Sequence, residues 1–318
     1  MLPMSFSSSL DEVIMDAAVQ AESYGVLELN VPGAHVQLQP HTEGDRIQIR
    51  GSVPGAAPER AREVFDRAGI ATHQARDRLH VFSDRRSGDV EDWRWRQHTH
   101  PAAILLEIHL PPAMDVTAQM PSGAVTAADL SGAMEFVVWG GSVRANRLDG
   151  SLDVQGSGGT VSVQDCSGSS LDLQWTAGEV ALEQITGAST TLRARSAPTT
   201  VQDLHGPADL SVHGAPLTLR NLNGPCEAQV RGGALTFHGP PAHDTFLQTV
   251  GGPVQALLPP TCSATVSLAG TEAILDDAFG FDGEQMPERI VGSLNDGGPK
   301  LHAHAVQGPV RCAVRNGA

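Results

Sequence analysis

Three groups of residues have types and spacings that could do chemistry. The first is a row of carboxylates: Glu135, Asp153 and Asp172 recur at intervals of 18 and 19 residues, and Asp209 and Glu227 extend the series. Clustered carboxylates can act as general acid and base or cleave glycosidic bonds. The same row can also be a solvated outer face, and that is the expectation here. The second group is imidazole. His98-Thr99-His100 and His302-Ala303-His304 each place two rings on one face of an extended strand. Zinc needs a third or fourth ligand close by, and none is evident, so no metal and no cofactor are expected. The third group is Trp93-Arg94-Trp95-Arg96, preceded by Arg85-Arg86. Interleaved aromatics and cations can hold a single nucleic-acid strand. Asp89, Glu91 and Asp92 adjoin them, which favours a segment clamped onto the rest of the fold. Trp139 stands alone as a possible partner contact. Asp276-Asp277 reads as a solvated loop pair.

Composition narrows these options. The chain has 318 residues, 36 acids against 21 Lys plus Arg, and a net charge of −15. Phosphate recognition requires cations, so general nucleic-acid binding is excluded. There is one lysine, Lys300, no nucleophile motif, and no glycine-rich phosphate loop leading into a helix. An enzyme is therefore not expected. Cys166, Cys226, Cys262 and Cys312 have no close spacing, and four in this length do not make a disulfide scaffold. Cys166 and Cys226 fall at inward positions and read as small core residues. No apolar run is long enough for a signal segment or a spanning helix. The sequence as written reads as cytoplasmic, with the cell envelope or secretion as the alternative.

The elements that must position these residues come from a repeat. An apolar-x-Gly phrase recurs at Leu130-Ser131-Gly132, Leu148-Asp149-Gly150, Cys166-Ser167-Gly168, Ile185-Thr186-Gly187, Leu204-His205-Gly206 and Leu222-Asn223-Gly224, with glycine steps of 18, 18, 19, 19 and 18. A small turn residue two places before an aliphatic one forms a second landmark: Gly123, Gly141, Gly159, Gly178, Thr199, Ala215, Gly233 and Gly252. Aligned on it, apolar columns spaced by two predict two short half-buried strands per repeat. Such a unit cannot bury its apolar face alone, but stacked copies can. Eight copies at about 4.8 Å spacing give a core of roughly 35–40 Å. The outward columns carry the acid row and a row rich in glutamine (Gln119, Gln155, Gln174, Gln229 and Gln248). The glutamines suggest amides bonding from repeat to repeat. With Thr199 set on the landmark, Arg193 falls in the acid row and interrupts it. Corner glycines are expected to take left-handed angles.

Outside the repeat, Val26–Val31, Arg46–Arg50, Leu79–Phe82 and Ile104–Leu110 read as strands. Residues 58–68 read as one short helix, with Pro58 at its start and Gly69 at its stop. Ser9 to Gln20 is ambiguous, since a Ser9/Glu12 capping box allows a helix. Asp276 to Pro287 reads as a loop and Leu301 to Val314 as final strands. The expected organisation is one continuous elongated domain: residues 1–21 an N-terminal segment, 22–115 β-rich coils and a cap with the helix, 116–258 regular coils, and 259–318 the last coil and its cap.

The phrases Leu106-Glu107-Ile108-His109-Leu110-Pro111 and Met120-Pro121-Ser122-Gly123-Ala124-Val125, with the closing Gly292-Ser293-Leu294-Asn295-Asp296-Gly297-Gly298-Pro299-Lys300-Leu301, resemble the bacterial putative-adhesin β-solenoid family (domain of unknown function 4097). The resemblance runs from about residue 25 to 314. It implies an all-β, single-stranded right-handed β-solenoid (β-helix), non-enzymatic, often exported and linked to the cell envelope. Thr199 and Ala215 depart from the usual glycine. The expected function is a structural or interaction protein presenting its ladder faces to a protein, glycan or envelope partner, with Trp139, Glu135, Asp153 and Asp172 as candidate binding residues. The alternatives are a β-helical carbohydrate-active lyase or hydrolase and a self-assembling scaffold. The flanking strands read as caps over the sheet edges, which points to a monomer or small homo-oligomer.

Overall fold

The structure, a computed structural model, describes residues 13–20, 25–41, 46–83, 104–187 and 189–315. The described residues are all-β apart from one helix, and their strands pair mostly in parallel. The chain divides into two compact units, 1–143 and 144–318. The expected clamp at 85–96, His98 and His100, and the Ser9/Glu12 pair lie outside the described residues.

In the first unit, strand Asp115–Met120 lies parallel to both Val26–Asn30 and Met134–Trp139. Strand Ala34–Pro40 lies parallel to both Ile104–Leu110 and Gly123–Ala128. Alternation does the burying: Leu27, Leu29, Val36, Leu38, Val116, Ala118 and Phe136 point inward and are at most 2% exposed. Antiparallel strands end both stacks. Ile70–Ala75 forms a hairpin with Arg78–Ser83, and Met15–Gln20 pairs with Arg46–Ser52. That strand settles the ambiguous segment against a helix over residues 15–20. Met15, Ala17 and Val19 alternate inward with period two, and the open edge of Arg46–Ser52 satisfies their backbone. The helix Pro58–Ala68 forms as expected. Pro58 starts it, Gly69 stops it at φ 58°, and the Gly69 N–H donates to the Phe65 carbonyl over 3.0 Å. Its apolar face, Ala61, Val64, Phe65 and Ala68, is buried. Gly51 makes room for it, because a side chain there would collide with the Phe65 ring.

In the second unit the chain alternates between two parallel sheets, giving each one strand per repeat. One sheet runs Leu152–Ser157, Leu171–Thr176, Thr190–Arg195, Ala208–His213, Cys226–Arg231 and Thr245–Val250. The other runs Thr160–Gly168, Glu179–Gly187, Thr199–His205, Leu217–Asn223, Leu235–His238 and Val254–Leu258. Prolines 198, 207, 216, 225, 253 and 309 each stand just before a strand. There each needs no N–H, and each offers its carbonyl to the neighbouring repeat.

The register corrects one expectation. Val180 faces Thr199 and Leu182 faces Val201, so Ala197, not Thr199, holds the landmark position of that repeat. The slip is two residues. Thr191 therefore occupies the acid row between Asp172 and Asp209, while Arg193 lies in the glutamine row between Gln174 and Ser211. Arg193 does not interrupt the acids. A two-residue slip preserves which face is buried, so hydrophobic pattern alone could not detect it.

The corner glycines also need a different reason. Left-handed angles fall mostly one residue before the apolar-x-Gly phrase, at Asp129, Arg147, Asp165, Gln184, Asp203 and Asn221, with φ between 50° and 59°. Gly132, Gly168, Gly187 and Gly224 are required by close stacking instead, and Gly206 combines both needs, with φ 126° and the Gly187 carbonyl against its added Cβ. A Cβ on Gly168 would overlap the Gly150 carbonyl, and one on Gly187 would come within 2.8 Å of the Gly168 carbonyl oxygen.

Past Leu258 the chain leaves the stack and returns. Strand Lys300–Val306 pairs on one side with Thr245–Val250 and on the other with Ala264–Ala269. The final strand Val310–Val314 joins the second sheet beside Val254–Leu258, so Leu301 to Val314 supplies strands as expected. The segment read as a loop, Asp276 to Pro287, contains strand Phe281–Met286, paired antiparallel with Arg289–Leu294 at the sheet edge. Its residues are nearly all exposed. It therefore shows no apolar alternation, and it is held by backbone pairing and by the half-buried Phe281 ring, which lies against Gly283 and Gly292.

Candidate functional site

The four candidate binding residues fall in different places. Glu135 and Trp139 belong to strand Met134–Trp139 of the first unit. Glu135 is exposed opposite Thr117, and Trp139 closes the strand at 53% exposure. Asp153 and Asp172 belong to the second unit and face each other across adjacent parallel strands. Asp153 Oδ1 accepts a hydrogen bond of 3.2 Å from Gln155 Nε2. Asp172 Oδ1 is buried without a partner.

Built outward from the register, the acid row of this unit reads Asp153, Asp172, Thr191, Asp209, Glu227, Phe246, His302. Thr191 separates two carboxylate pairs, which limits like-charge repulsion at strand spacing. The parallel row two residues on reads Gln155, Gln174, Arg193, Ser211, Gln229, Gln248, His304. Its amides bond differently from the expectation. Gln155 and Gln229 donate to Asp153 and Glu227 within their own strands, the latter over 2.9 Å. Side-chain bonds that run from repeat to repeat occur at the corners instead. Ser167 Oγ donates to Asp149 over 2.9 Å, and Asn221 Nδ2 donates to Asp203 over 2.8 Å.

His302 and His304 share an outward face, as their spacing predicts. Among the described residues no three His, Cys, Asp or Glu side chains gather as a ligand set. The His302 imidazole stacks on the Phe246 ring, with centroids 4.8 Å apart and planes 4° from parallel. Around them Glu227, Gln229, Gln248 and His304 line a shallow hollow of about 310 Å³. Sequence reasoning missed this grouping. Phe246 was the one aromatic in an acidic row, but its neighbour His302 lies 56 positions away, beyond the detour through residues 259–299.

Asp276 is structural. Its carboxylate accepts the backbone N–H of Ala278 over 3.1 Å and that of Val314 over 3.3 Å, tying the loop to the last strand. It is not simply a solvated loop residue. Cys166 and Cys226 point inward as expected, and all four thiols are buried. Burial pushes the Cys226 and Cys312 thiols up to about 12, with Asp209 and Glu227 adding to the first and Cys262 and Asp276 to the second. Thiolate is the reactive form, so these cysteines are inert in the folded protein. We expect none of the four to react with a thiol-specific reagent until denaturant opens the fold, as read by mass spectrometry across the unfolding transition.

His238 is held below its ordinary pKa of 6.5, first by desolvation and then by Arg220 and Arg315. A depressed folded-state pKa means the unfolded chain binds the proton more readily. The stabilising contribution is complete above pH 6.5 and is lost as pH falls through the folded value. His238→Gln should therefore flatten the loss of stability between pH 7.5 and 5. Urea midpoints at the two values for both proteins check this.

No protein-family model and no curated protein matches the sequence. Among solved structures, the chain is similar to a putative adhesin from Bacteroides fragilis at 11% identity, covering 95% of this chain and 96% of that one with a TM-score of 0.33. It is also similar to a putative cell adhesion protein from Clostridium sporogenes at 8% identity, covering 95% and 100% with a TM-score of 0.21. At these scores neither likeness bears on what the chain does. No helix among the described residues is long and apolar enough to cross a membrane.

Proposed function

We propose that the chain is a right-handed β-solenoid of 18–19-residue coils that acts as a non-enzymatic interaction protein, holding rows of outward side chains toward a protein, glycan or envelope partner. The observation that supports this most is the register of the second unit. Each outward position recurs one strand further along, as Asp153 to Asp172 and Gln155 to Gln174 do. About 4.8 Å then separates like groups, a spacing suited to a repetitive or extended ligand. The rows are held in place because the inward residues of the strands that carry them are buried. Antiparallel strands at the sheet edges favour a monomer or small oligomer over an open fibre.

The test uses the purified full chain against a printed panel of oligosaccharides and envelope polymers, with product analysis of each polymer after incubation. Saturable binding without cleavage supports the reading. Cleavage of a polysaccharide that disappears in Asp153→Asn with Asp172→Asn contradicts it and makes the acid row catalytic.

A further inference from the structure

We infer that the hollow around Phe246 is a subsite for one pyranose ring of a neutral glycan. The inference rests on the interaction reading above and names the ligand class. Three neighbouring strands, Cys226–Arg231, Thr245–Val250 and Lys300–Val306, build the site entirely within the second unit. Two rows of three outward positions line it, Glu227, Phe246, His302 and Gln229, Gln248, His304, and a third row, Arg231, Val250, Val306, flanks it. Rows two residues apart stand about 7 Å from each other and neighbours in a row about 5 Å, so the grid has the dimensions of a single sugar ring with its hydroxyls.

Phe246 is the centre of the argument. Its row is elsewhere polar, and a phenyl group left 47% exposed there contributes little to the fold. The imidazole of His302 stacks against the ring and limits its rotation, so the exposed apolar surface is held ready before any ligand arrives. A sugar ring offers a face of C–H bonds to such a surface and a belt of hydroxyls to its surroundings. The surroundings suit hydroxyls. Glu227 accepts only, while Gln229 and Gln248 can each donate and accept. Gln229 Nε2 donates to Glu227 over 2.9 Å, which orients one carboxylate oxygen and leaves the rest of that carboxylate's acceptor capacity. A hollow of about 310 Å³ lies at the small end of the range for ligand pockets, enough for one monosaccharide unit of a longer chain.

Charge selects among glycans. No Lys or Arg lines the hollow and a carboxylate does, within a chain of net charge −15. A uronic, sialic or sulfated sugar would meet that acid inside the hollow, while the outward cations Arg231 and Lys300 stand two residues along their strands, outside the lining. The same feature disfavours nucleotides, whose bases could stack on Phe246 but whose phosphates would be unpaired. An aromatic peptide side chain would cover the phenyl ring and leave the remaining hydrogen-bonding capacity of Glu227, Gln229 and Gln248 unused.

A panel of immobilised neutral hexose, uronic-acid and sulfated oligosaccharides, with aromatic peptides beside them, tests the site. The wild type should bind at least one neutral oligosaccharide, confirmed by calorimetry. Phe246→Ala should weaken that binding at least tenfold and Gln248→Ala severalfold. Phe246→Trp should retain it, and Met286→Ala, which removes an exposed apolar side chain outside the hollow, should leave it unchanged. Melting curves identical to wild type show that each variant is folded. Neutral-glycan binding that survives Phe246→Ala overturns this subsite while leaving the interaction reading intact. Binding confined to acidic glycans, to aromatic peptides, or to nothing on the panel overturns it as well. Cleavage of the bound glycan overturns the interaction reading itself, whatever Phe246→Ala does.

Discussion

Gly178→Val is expected to destabilise the second unit by more than about 3 kcal/mol, enough to lower the melting temperature by roughly 10 °C or to prevent soluble expression. Two penalties act at one residue. Gly178 has φ 98°, where a β-branched side chain is strained, and its Cβ would overlap the Gly159 carbonyl of the preceding repeat. The strain alone costs about 1–2 kcal/mol. The overlap is with backbone, which cannot swing aside, so the two repeats must separate and lose hydrogen bonds along the strand. Gly251→Ala is the control. Gly251 has φ 77°, but nothing lies within 4 Å of its added Cβ, so only the conformational cost of about 1 kcal/mol remains. The reverse change also has a sign. Ala177 sits at φ 61°, and Ala177→Gly should be neutral or slightly stabilising despite the greater entropy of the unfolded chain. Thermal unfolding of the three variants, followed by circular dichroism, separates stacking from strain.

Trp175→Ala should cost about 3–5 kcal/mol, the range for removing a large buried aromatic. Trp175 is 1% exposed and heads the largest fully buried side chains. It fits because the inward position one strand away on either side is small: Gly156 on one, Ala194 on the other. Three consecutive repeats thus share one volume, small, large, small. The indole Nε1 is buried with no acceptor, so part of the residue's worth is already offset by an unmet hydrogen bond. Trp175→Phe should accordingly cost less than half as much as Trp175→Ala. Gly156→Leu should be destabilising in the wild type, where it runs into the indole, and less so beside Trp175→Ala. Denaturant unfolding of the single and double variants gives the coupling energy directly. Additive costs would mean that the two positions do not share space.

Much of this was legible in the sequence because the fold is periodic at two scales. Alternation of Leu171, Leu173 and Trp175 with Asp172, Gln174 and Thr176 marks a half-buried strand, and the glycine steps mark the repeat. The stop at Gly69 and the start at Pro58 gave the helix for the same local reason. What escaped was non-local or non-apolar. The left-handed corners are filled by Asp165, Gln184, Asp203 and Asn221, whose variety hides a shared backbone requirement that glycine would have advertised. Phe281–Met286 has a single half-buried side chain, Phe281, and so shows no alternation. The hollow at Phe246 depends on which strand returns beside Thr245–Val250, and no spacing rule skips residues 259–299 to place His302 there.

Removing a whole repeat tests the central claim most directly. Deleting residues 171–189 brings Thr190 to the place of Leu171, opposite Leu152, and Thr199 to the place of Val180, opposite Val161. Every later strand keeps its face, and all but the two at the junction keep their neighbours. The shortened chain should express, keep its β-type circular dichroism and unfold in one cooperative step with a somewhat lower midpoint. Deleting only residues 171–179 swaps the two sheets from that point on and should leave no folded second unit. If the two deletions behave alike, both tolerated or both ruinous, the strands are not stacked as interchangeable repeats and the account fails.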